Sequence, residues 1–236
     1  MASELLHAAG LESGYNRVQV LWGVGLTVYE NETVVLLGAN GAGKTTLLRV
    51  LMGLLPAWQG EIRFAGEDIT HLTTDRRVRR GISYMSEMGV FPGLTIDENI
   101  SIGGHLLSRQ ALRARAEELY AIFPDLSQRR RSAASSLSGG QRKMLGVAKA
   151  LAGKPRLLVM DEPSSGLAPL FVREVIRVLA AARKQGLSLL VAEQNVKFLD
   201  LADRVYTLEG GRVGFSGTVP EIRSNDSVRR AYFGLK

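Results

Sequence analysis

The fold of this chain is decided by one glycine-rich stretch, Gly38-Ala39-Asn40-Gly41-Ala42-Gly43-Lys44-Thr45, which matches the phosphate-loop pattern GxxxxGK(S/T). Glycines allow successive backbone N–H groups to face one anion, and the N-terminus of a following helix adds partial positive charge. An apolar run, Thr33–Leu37, precedes the stretch, and a helical pattern, Thr45–Leu51, follows it. An ordinary glycine-rich strand-to-helix turn is the alternative, but a chance match to the full pattern is rare, and the strand–loop–helix context makes it rarer. The stretch therefore predicts a nucleotide site in which Lys44 reaches the β- and γ-phosphates and Thr45 coordinates Mg²⁺.

Two further runs are similar to Thr33–Leu37, namely Arg156–Met160 and Ser188–Ala192. All three are apolar on nearly all positions of both alternating faces, which is typical of strands covered on both sides in a parallel sheet. Helices are predicted over Gln141–Leu151 and after Pro169. The alternation of strands and helices predicts an α/β fold, and the lack of repeats or long linkers favours one compact unit.

Two carboxylates, Asp161 and Glu162, follow the second apolar run. Open α/β sheets bind ligands beyond the carboxyl ends of their strands, so Asp161 is placed to hold Mg²⁺ and Glu162 to polarise an attacking water. An adjacent Asp-Glu pair alone is weak support, because such pairs commonly cap a helix. The phosphate loop gives this pair its catalytic interpretation.

Composition excludes several classes of protein. The chain has 236 residues, of which 45% are hydrophobic and 22% charged, so it is expected to fold as a globular protein. Its longest strictly apolar run, Val178–Ala182, is far shorter than the roughly 20 residues of a membrane-spanning helix. With no cysteine, it has no disulfides or thiolate metal sites. The net charge of +7 is compatible with three kinds of binding partner, namely nucleic acid, an anionic membrane surface and an anionic ligand.

A third motif, Leu137-Ser138-Gly139-Gly140-Gln141, lies between the phosphate loop and the carboxylates. With these three motifs in order, the chain resembles the ATP-binding subunits of ABC transporters over nearly its whole length. The resemblance implies an α/β P-loop NTPase (RecA-like) core with an antiparallel β subdomain and an α-helical subdomain. It places the helical subdomain at about residues 88–135, within a single domain of residues 1–236.

The resemblance also implies a head-to-tail dimer in which ATP and Mg²⁺ lie between the phosphate loop of one chain and the signature motif of the other. The residues that would bind ATP in the same chain are Tyr15, Gly38, Ala39, Asn40, Gly41, Ala42, Gly43, Lys44, Thr45 and Thr46. Those that would bind it from the partner chain are Ser138, Gly139, Gly140 and Gln141. Tyr15 matches the aromatic residue that stacks on adenine in the family, although alone it would be interpreted as an ordinary aromatic residue of the β subdomain. Ser138 also fits a simple helix N-cap, and we expect it to serve as both.

The lid that follows residues 82–86 departs from the family pattern. Glu87 stands where the family has a glutamine that touches Mg²⁺ and the membrane subunits. Counting back from Phe91-Pro92 would place Ser86 there instead, so both assignments stay open at this point. A carboxylate at Glu87 can still contact Mg²⁺ or its water, and we assign it to the metal on its position.

The switch position departs as well, because Gln194 stands where the family has a histidine. An amide can donate a hydrogen bond but cannot carry a proton or a positive charge. Hydrolysis is therefore expected to depend on Glu162 as the base, with Gln194 as a catalytic positioning group. By the same resemblance, the segment Ser164–Pro169 falls at the dimer-contact loop. Ala168 of this segment stands where many relatives have Asp, so the carboxylate of one usual contact across the dimer is absent.

These departures indicate a subclass. The chain looks like one of the two ATPases of branched-chain amino acid importers at Glu87, the stretch Gly166-Leu167-Ala168-Pro169, the triplet Glu193-Gln194-Asn195 and the phosphate-loop stretch Gly38–Lys44. Subunits of urea and short-amide importers are similar. The resemblance implies a second ABC ATPase subunit in a homo- or heterodimer, two membrane permeases and, indirectly, an extracytoplasmic solute-binding protein. Such a subunit is peripheral, at the cytoplasmic face of the cell membrane.

Two other functions remain as alternatives. An ABC-type ATPase acting on DNA, RNA or ribosomes is supported only by the charge. Such proteins generally carry long coiled-coil insertions or two ATPase halves in one chain, and neither fits in 236 residues, so no nucleic-acid partner is expected. A regulatory subunit with little hydrolysis is suggested by Gln194, and retention of Glu162 argues against it.

Two arginine clusters have two interpretations. They lie near the nucleotide, the partner subunits or an anionic leaflet, or they form a solvated surface. The clusters are Arg76, Arg77, Arg79 and Arg80, and Arg129, Arg130 and Arg131.

Overall fold

The computed structural model describes residues 3–87 and 89–225. Residues 1–2, 88 and 226–236 of the predicted single domain lie outside the described residues. Within the described ranges the chain forms ten β-strands and eight α-helices. The strands are β1 (Glu4–Tyr15), β2 (Val18–Tyr29), β3 (Thr33–Leu37), β4 (Gln59–Phe64), β5 (Glu67–Asp68), β6 (Ile82–Met85), β7 (Leu157–Asp161), β8 (Ser188–Glu193), β9 (Arg204–Glu209) and β10 (Arg212–Thr218). The helices are α1 (Lys44–Leu51), α2 (Thr74–Arg79), α3 (Ile96–Gly103), α4 (Arg109–Ile122), α5 (Pro124–Gln128), α6 (Gly139–Ala152), α7 (Pro169–Arg183) and α8 (Val219–Ser224).

A six-stranded sheet in the order β10-β9-β3-β8-β7-β6 forms the core. All its neighbouring strands run parallel except β10, which is antiparallel to β9 at the edge. Every residue of β3, β7 and β8 is buried, which confirms the prediction of strands covered on both faces. Leu37 of β3 pairs with Glu193 of β8, and Asp161 of β7 pairs with Ala192. The carboxyl ends of these three strands therefore lie side by side.

A second, four-stranded sheet is antiparallel and has the order β2-β1-β4-β5. It contains the N-terminal strand, as the resemblance implies. Helix α1 joins this sheet to the core sheet through one apolar cluster. In that cluster Leu47 and Leu48 of α1 pack with Leu6 and Leu11 of β1 and Leu36 of β3.

Helix α6 is the centre of a second apolar cluster, on the opposite face of the core sheet. Its residues Leu145 and Val147 share this cluster with Ile100 of α3, Leu119 of α4 and Val175 of α7. The helix begins two residues before the predicted Gln141, because Gly139 and Gly140 form its capped first turn. None of the helices within residues 3–87 and 89–225 is long and apolar enough to cross a bilayer.

One arginine of the first predicted cluster is buried rather than solvated. The Arg77 guanidinium donates hydrogen bonds to the carbonyls of Val50 and Leu51, at 2.9 and 2.7 Å, and to those of Thr70 and Leu72, at 2.8 and 3.0 Å. Two of these carbonyls end helix α1, where a cation opposes the helix dipole. Burial lowers the pKa of Arg77 to about 10. The interpretation of this cluster as surface arginines is therefore wrong for Arg77, whose buried guanidinium binds the C-terminal end of helix α1.

Candidate active site

The phosphate loop connects β3 to α1 and has no side-chain cap. Helix α1 begins at Lys44, its N-cap residue Gly43 has φ 105°, and no described side chain accepts a hydrogen bond at this cap. A positive φ of this size favours glycine, because a Cβ would be strained there. The first N–H groups of α1 therefore face the loop, where they can bind an anion.

Lys44 places a buried positive charge in this loop. The residue is 4% exposed, and Nζ donates to the carbonyls of Gly38 at 2.8 Å and Ala39 at 3.1 Å. Nζ also lies 3.1 Å from Oε1 of Glu162. The ammonium group is thus held between the start of the loop and the predicted catalytic carboxylate.

Thr45 and Asp161, both assigned to Mg²⁺, are in contact. Thr45 Oγ1 donates to Asp161 Oδ1 at 3.1 Å, and Tyr84 OH donates to Oδ2 at 3.2 Å. Burial raises the pKa of the Asp161 carboxyl, while these two hydrogen bonds act in the opposite direction. One hydroxyl and one carboxylate suit Mg²⁺, which takes one or two protein carboxylates and completes its shell with phosphate and water. The described residues contain no group of three His, Cys, Asp or Glu side chains arranged for a metal.

Glu87 is not part of that pair in the structure. Ser165 Oγ donates to Glu87 Oε1 at 3.4 Å, and Lys143 Nζ donates to the Glu87 carbonyl at 2.9 Å. Neither contact involves Thr45 or Asp161. The lid residue faces the loop that follows β7, so its role at a metal stays a prediction.

Glu162, Gln194 and Asn40 come together across three loops. Gln194 Nε2 donates to Glu162 Oε1 at 3.4 Å and to Asn40 Oδ1. Glu162 has φ 46°, a left-handed conformation that costs a non-glycine residue of order 1–3 kcal/mol and occurs often at active sites. In this conformation the Glu162 carboxylate contacts both Lys44 Nζ and Gln194 Nε2.

Tyr15 lies beside helix α1 and is 39% exposed. Its hydroxyl accepts a hydrogen bond from Arg49 NH1 at 3.2 Å and one from Thr46 Oγ1 at 3.4 Å. The two predicted ATP-binding residues outside the loop motif, Tyr15 and Thr46, are therefore neighbours.

The signature motif lies at the exposed N-terminus of α6. Ser138 Oγ accepts from the Gln141 N–H at 3.2 Å, and Gln141 Oε1 accepts from the Ser138 N–H at 3.1 Å, forming a capping box. A Cβ on Gly140 would lie 2.6 Å from the ring of Phe171, whereas one on Gly139 would meet nothing within 4 Å. Gly140 is thus required by packing, and Gly139 leaves the helix end open.

Sequence reasoning assigned no role to three residues that the structure brings to the site. Tyr84 contacts Asp161, Arg49 contacts Tyr15, and Glu193 lies buried behind Gln194. For Glu193 a signal was available, since an acidic residue ending a fully apolar strand must be satisfied by hydrogen bonds. No comparable pattern singled out Tyr84 or Arg49.

Comparison with known proteins gives the following similarities. The family model described as ABC transporter matches residues 21–165. The chain is 38% identical to the high-affinity branched-chain amino acid transport ATP-binding protein BraG of Pseudomonas aeruginosa, over 93% of this chain and 95% of that protein. It is 36% identical to the lipopolysaccharide export system ATP-binding protein LptB of Haemophilus influenzae, over 98% and 97%. It is 32% identical to the probable branched-chain amino acid transport ATP-binding protein LivF of Archaeoglobus fulgidus, over 98% and 99%.

The fold is also similar to that of solved structures. The ADP conformation of MJ1267, an ATP-binding cassette of an ABC transporter, superposes with a TM-score of 0.86. The two sequences are 24% identical, and the match covers 98% of this chain and 99% of that one. At this identity the likeness supports the fold alone.

Proposed function

The chain belongs to the ATP-binding subunits of ABC transporters, and from that premise we propose that its ATP hydrolysis powers import of branched-chain amino acids. One observation carries the choice of solute. Two relatives that align along nearly the whole chain, BraG and LivF, are named for branched-chain amino acid transport. The stretch Gly166–Pro169 and the triplet Glu193-Gln194-Asn195 support the same subclass.

The proposed hydrolysis begins with phosphate binding at the loop. The Lys44 ammonium and the uncapped N–H groups of α1 would bind the β- and γ-phosphates. Thr45 and Asp161 would hold Mg²⁺, which neutralises charge on the phosphate oxygens when it is bound. This arrangement fixes the γ-phosphate close to Glu162.

Glu162 is proposed as the base that takes a proton from the attacking water. Its carboxylate lies 3.1 Å from Lys44 Nζ, so it already points at the position assigned to the γ-phosphate. Gln194 donates to the same carboxylate oxygen at 3.4 Å and would orient it together with the water. Because an amide cannot accept the proton, the proton must go to Glu162.

The site is proposed to be completed by a second ABC ATPase subunit, either a copy of this chain or a related one. The exposed N-terminus of α6 would supply N–H groups from Gly139 and Gly140 to the γ-phosphate of the partner's ATP. ATP would then favour the closed dimer, and loss of the γ-phosphate would reopen it. The region of Glu87 and a helical subdomain at residues 88–135 would transmit closure to two permeases at the cytoplasmic face of the membrane.

Lipopolysaccharide export is a second candidate, favoured by the 36% identity to LptB. The two functions share the ATP site and differ in the membrane partner and cargo. A transport assay with the membrane partners distinguishes the two functions.

The test reconstitutes the chain in proteoliposomes with the permeases encoded nearest its gene and measures the ATPase rate. A solute-binding protein loaded with leucine, isoleucine or valine is expected to stimulate the rate several-fold, and the matched Glu162→Gln complex should show no stimulation. Stimulation by lipopolysaccharide, or by urea or a short amide alone, would overturn the proposed solute. Absence of ATP hydrolysis under every condition would overturn the proposed mechanism.

A further inference from the structure

Glu193 is a buried carboxylate that the mechanism above does not use. It ends strand β8, is 2% exposed, and its two oxygens accept three backbone hydrogen bonds. Oε1 accepts from the Ser164 N–H at 2.7 Å, and Oε2 accepts from the N–H groups of Gln194 and Asn195 at 3.1 and 3.2 Å. The pKa of this carboxyl is raised, because the effect of burial outweighs the opposing effect of the hydrogen bonds. Burying a carboxylate carries a desolvation cost, which the three donors offset. The presence of a carboxylate at this buried position therefore needs an explanation.

The three donors belong to two different loops. Ser164 begins the loop 164–168, which follows β7 and which the family resemblance assigns to contact with the partner chain. Gln194 and Asn195 begin the loop after β8, and the Gln194 side chain donates to Glu162. The backbone carbonyl of Glu193 also accepts from the N–H of Gly38, at 3.3 Å, so the same residue adjoins the phosphate loop.

We propose that Glu193 is a positioning residue that ties loop 164–168 to Gln194, so that the partner chain's contact with this loop is transmitted to the catalytic groups of the same chain. The inference rests on the proposed function, because it needs loop 164–168 at the dimer contact and Gln194 at the γ-phosphate. It explains why Gln194 can replace a charged switch residue. The Gln194 side chain would be positioned by the partner contact as well as by the nucleotide, because Glu193 joins the Gln194 backbone to the loop that meets the partner.

The chemistry requires a carboxylate at this position. An amide has one acceptor oxygen and one NH₂ group, and the NH₂ cannot accept from a backbone N–H. In Glu193→Gln, the oxygen can serve Gln194 and Asn195 or serve Ser164, but not both. The substitution therefore cuts the connection between the two loops while keeping the side-chain volume. It leaves a buried backbone N–H without an acceptor, at a cost of about 1–3 kcal/mol, which is smaller than the free energy of unfolding of a typical domain, so the fold should persist.

The expected kinetic result is a split between turnover and binding. Glu193→Gln should lower kcat by about 10- to 100-fold, since a small misplacement of a catalytic group has an effect of this order. The KM for ATP and the affinity of the single chain for a fluorescent ATP analogue should change by less than about two-fold. Glu174→Gln, on the exposed face of α7, is the matched control and should leave both values unchanged.

Hydrogen–deuterium exchange on the full chain in a Glu162→Gln background, with and without ATP and Mg²⁺, tests the connection between the two loops. With Glu193 present, ATP should slow exchange in peptides 163–168 and 194–197 together. With Glu193→Gln added, ATP should still slow exchange in 163–168 and should no longer slow it in 194–197. Joint protection of both peptides in the double variant would overturn the inference. Thermal unfolding of both proteins excludes loss of the fold as the cause.

The same data separate this inference from its premise. If ATP protects neither peptide in the Glu162→Gln chain and no dimer forms, the shared ATP site is wrong and the inference falls with it. If ATP protects both peptides and the dimer forms, the premise stands, and the behaviour of the double variant alone decides the role of Glu193.

Discussion

The N-termini of α1 and α6 are both predicted to bind phosphate, but their surroundings differ. At α1, Gly43 provides no side-chain cap, and the buried Lys44 lies 3.1 Å from Glu162. At α6, Ser138 and Gln141 cap each other on the exposed surface. The described hydrogen bonds of this capping box stay within the first turn of α6.

The difference fits the separate functions proposed for the two ends. The α1 end brings together, from one chain, a cation, the carboxylate proposed for catalysis and the hydroxyl–carboxylate pair proposed to hold Mg²⁺. The α6 end has backbone dipoles and small residues, and its capping box joins two uncharged residues, Ser138 and Gln141. A helix N-terminus is weakly selective alone, so the second end is expected to act on a nucleotide that another chain already holds.

The largest expected effect is at the α1 end, on substitution of the proposed base. Glu162→Gln should lower the ATPase rate by about 10²- to 10⁴-fold, because the amide cannot take the proton from water. ATP should then hold the chains together, and size-exclusion chromatography with ATP and Mg²⁺ should show a dimer. Exposed Glu117→Gln is the control. Unchanged turnover in the assembled transporter would contradict the assignment of the base.

Next in size is the loss of nucleotide binding on Lys44→Ala. Removing the buried ammonium should weaken ATP binding by on the order of 100-fold, because charge-assisted hydrogen bonds to phosphate are lost. Titration calorimetry on the single chain measures this. Lys154→Ala is the matched control, since the Lys154 side chain is 56% exposed. Equal affinities of the two variants would contradict the role of Lys44.

A smaller effect should separate the two glycines at the α6 end. Gly140→Ala places a Cβ 2.6 Å from the Phe171 ring, and this overpacking should lower the free energy of unfolding by about 1–3 kcal/mol. Gly139→Ala meets nothing within 4 Å and should change it by less than about 0.5 kcal/mol. Urea unfolding of the single chain gives both values. Equal destabilisation would show that Gly139 also has a packing role.

Some of these elements could be predicted from the sequence and others could not. The phosphate loop and β3, β7 and β8 were predictable because their signals are local: a fixed glycine spacing and runs that are apolar on nearly all positions of both faces. The antiparallel sheet came from the family resemblance, since the pairing of β1 with β2 is interrupted by shifts in register.

Contacts made through tertiary structure were not predictable. Arg77 looks like its exposed neighbours in sequence, yet it is buried because the chain folds it against the end of α1. Glu193 and Ser164 are far apart in sequence and meet only because β7 and β8 are adjacent in the sheet.

The central claim is that one ATP lies between the α1 end of one chain and the α6 end of another. It is tested by mixing two inactive variants, Lys44→Ala and Ser138→Arg, under conditions in which the wild-type chain alone hydrolyses ATP. A mixed dimer pairs the intact loop of one chain with the intact signature motif of the other, so an equal mixture should recover about a quarter of the wild-type rate. A mixture no more active than either variant alone would contradict the shared site.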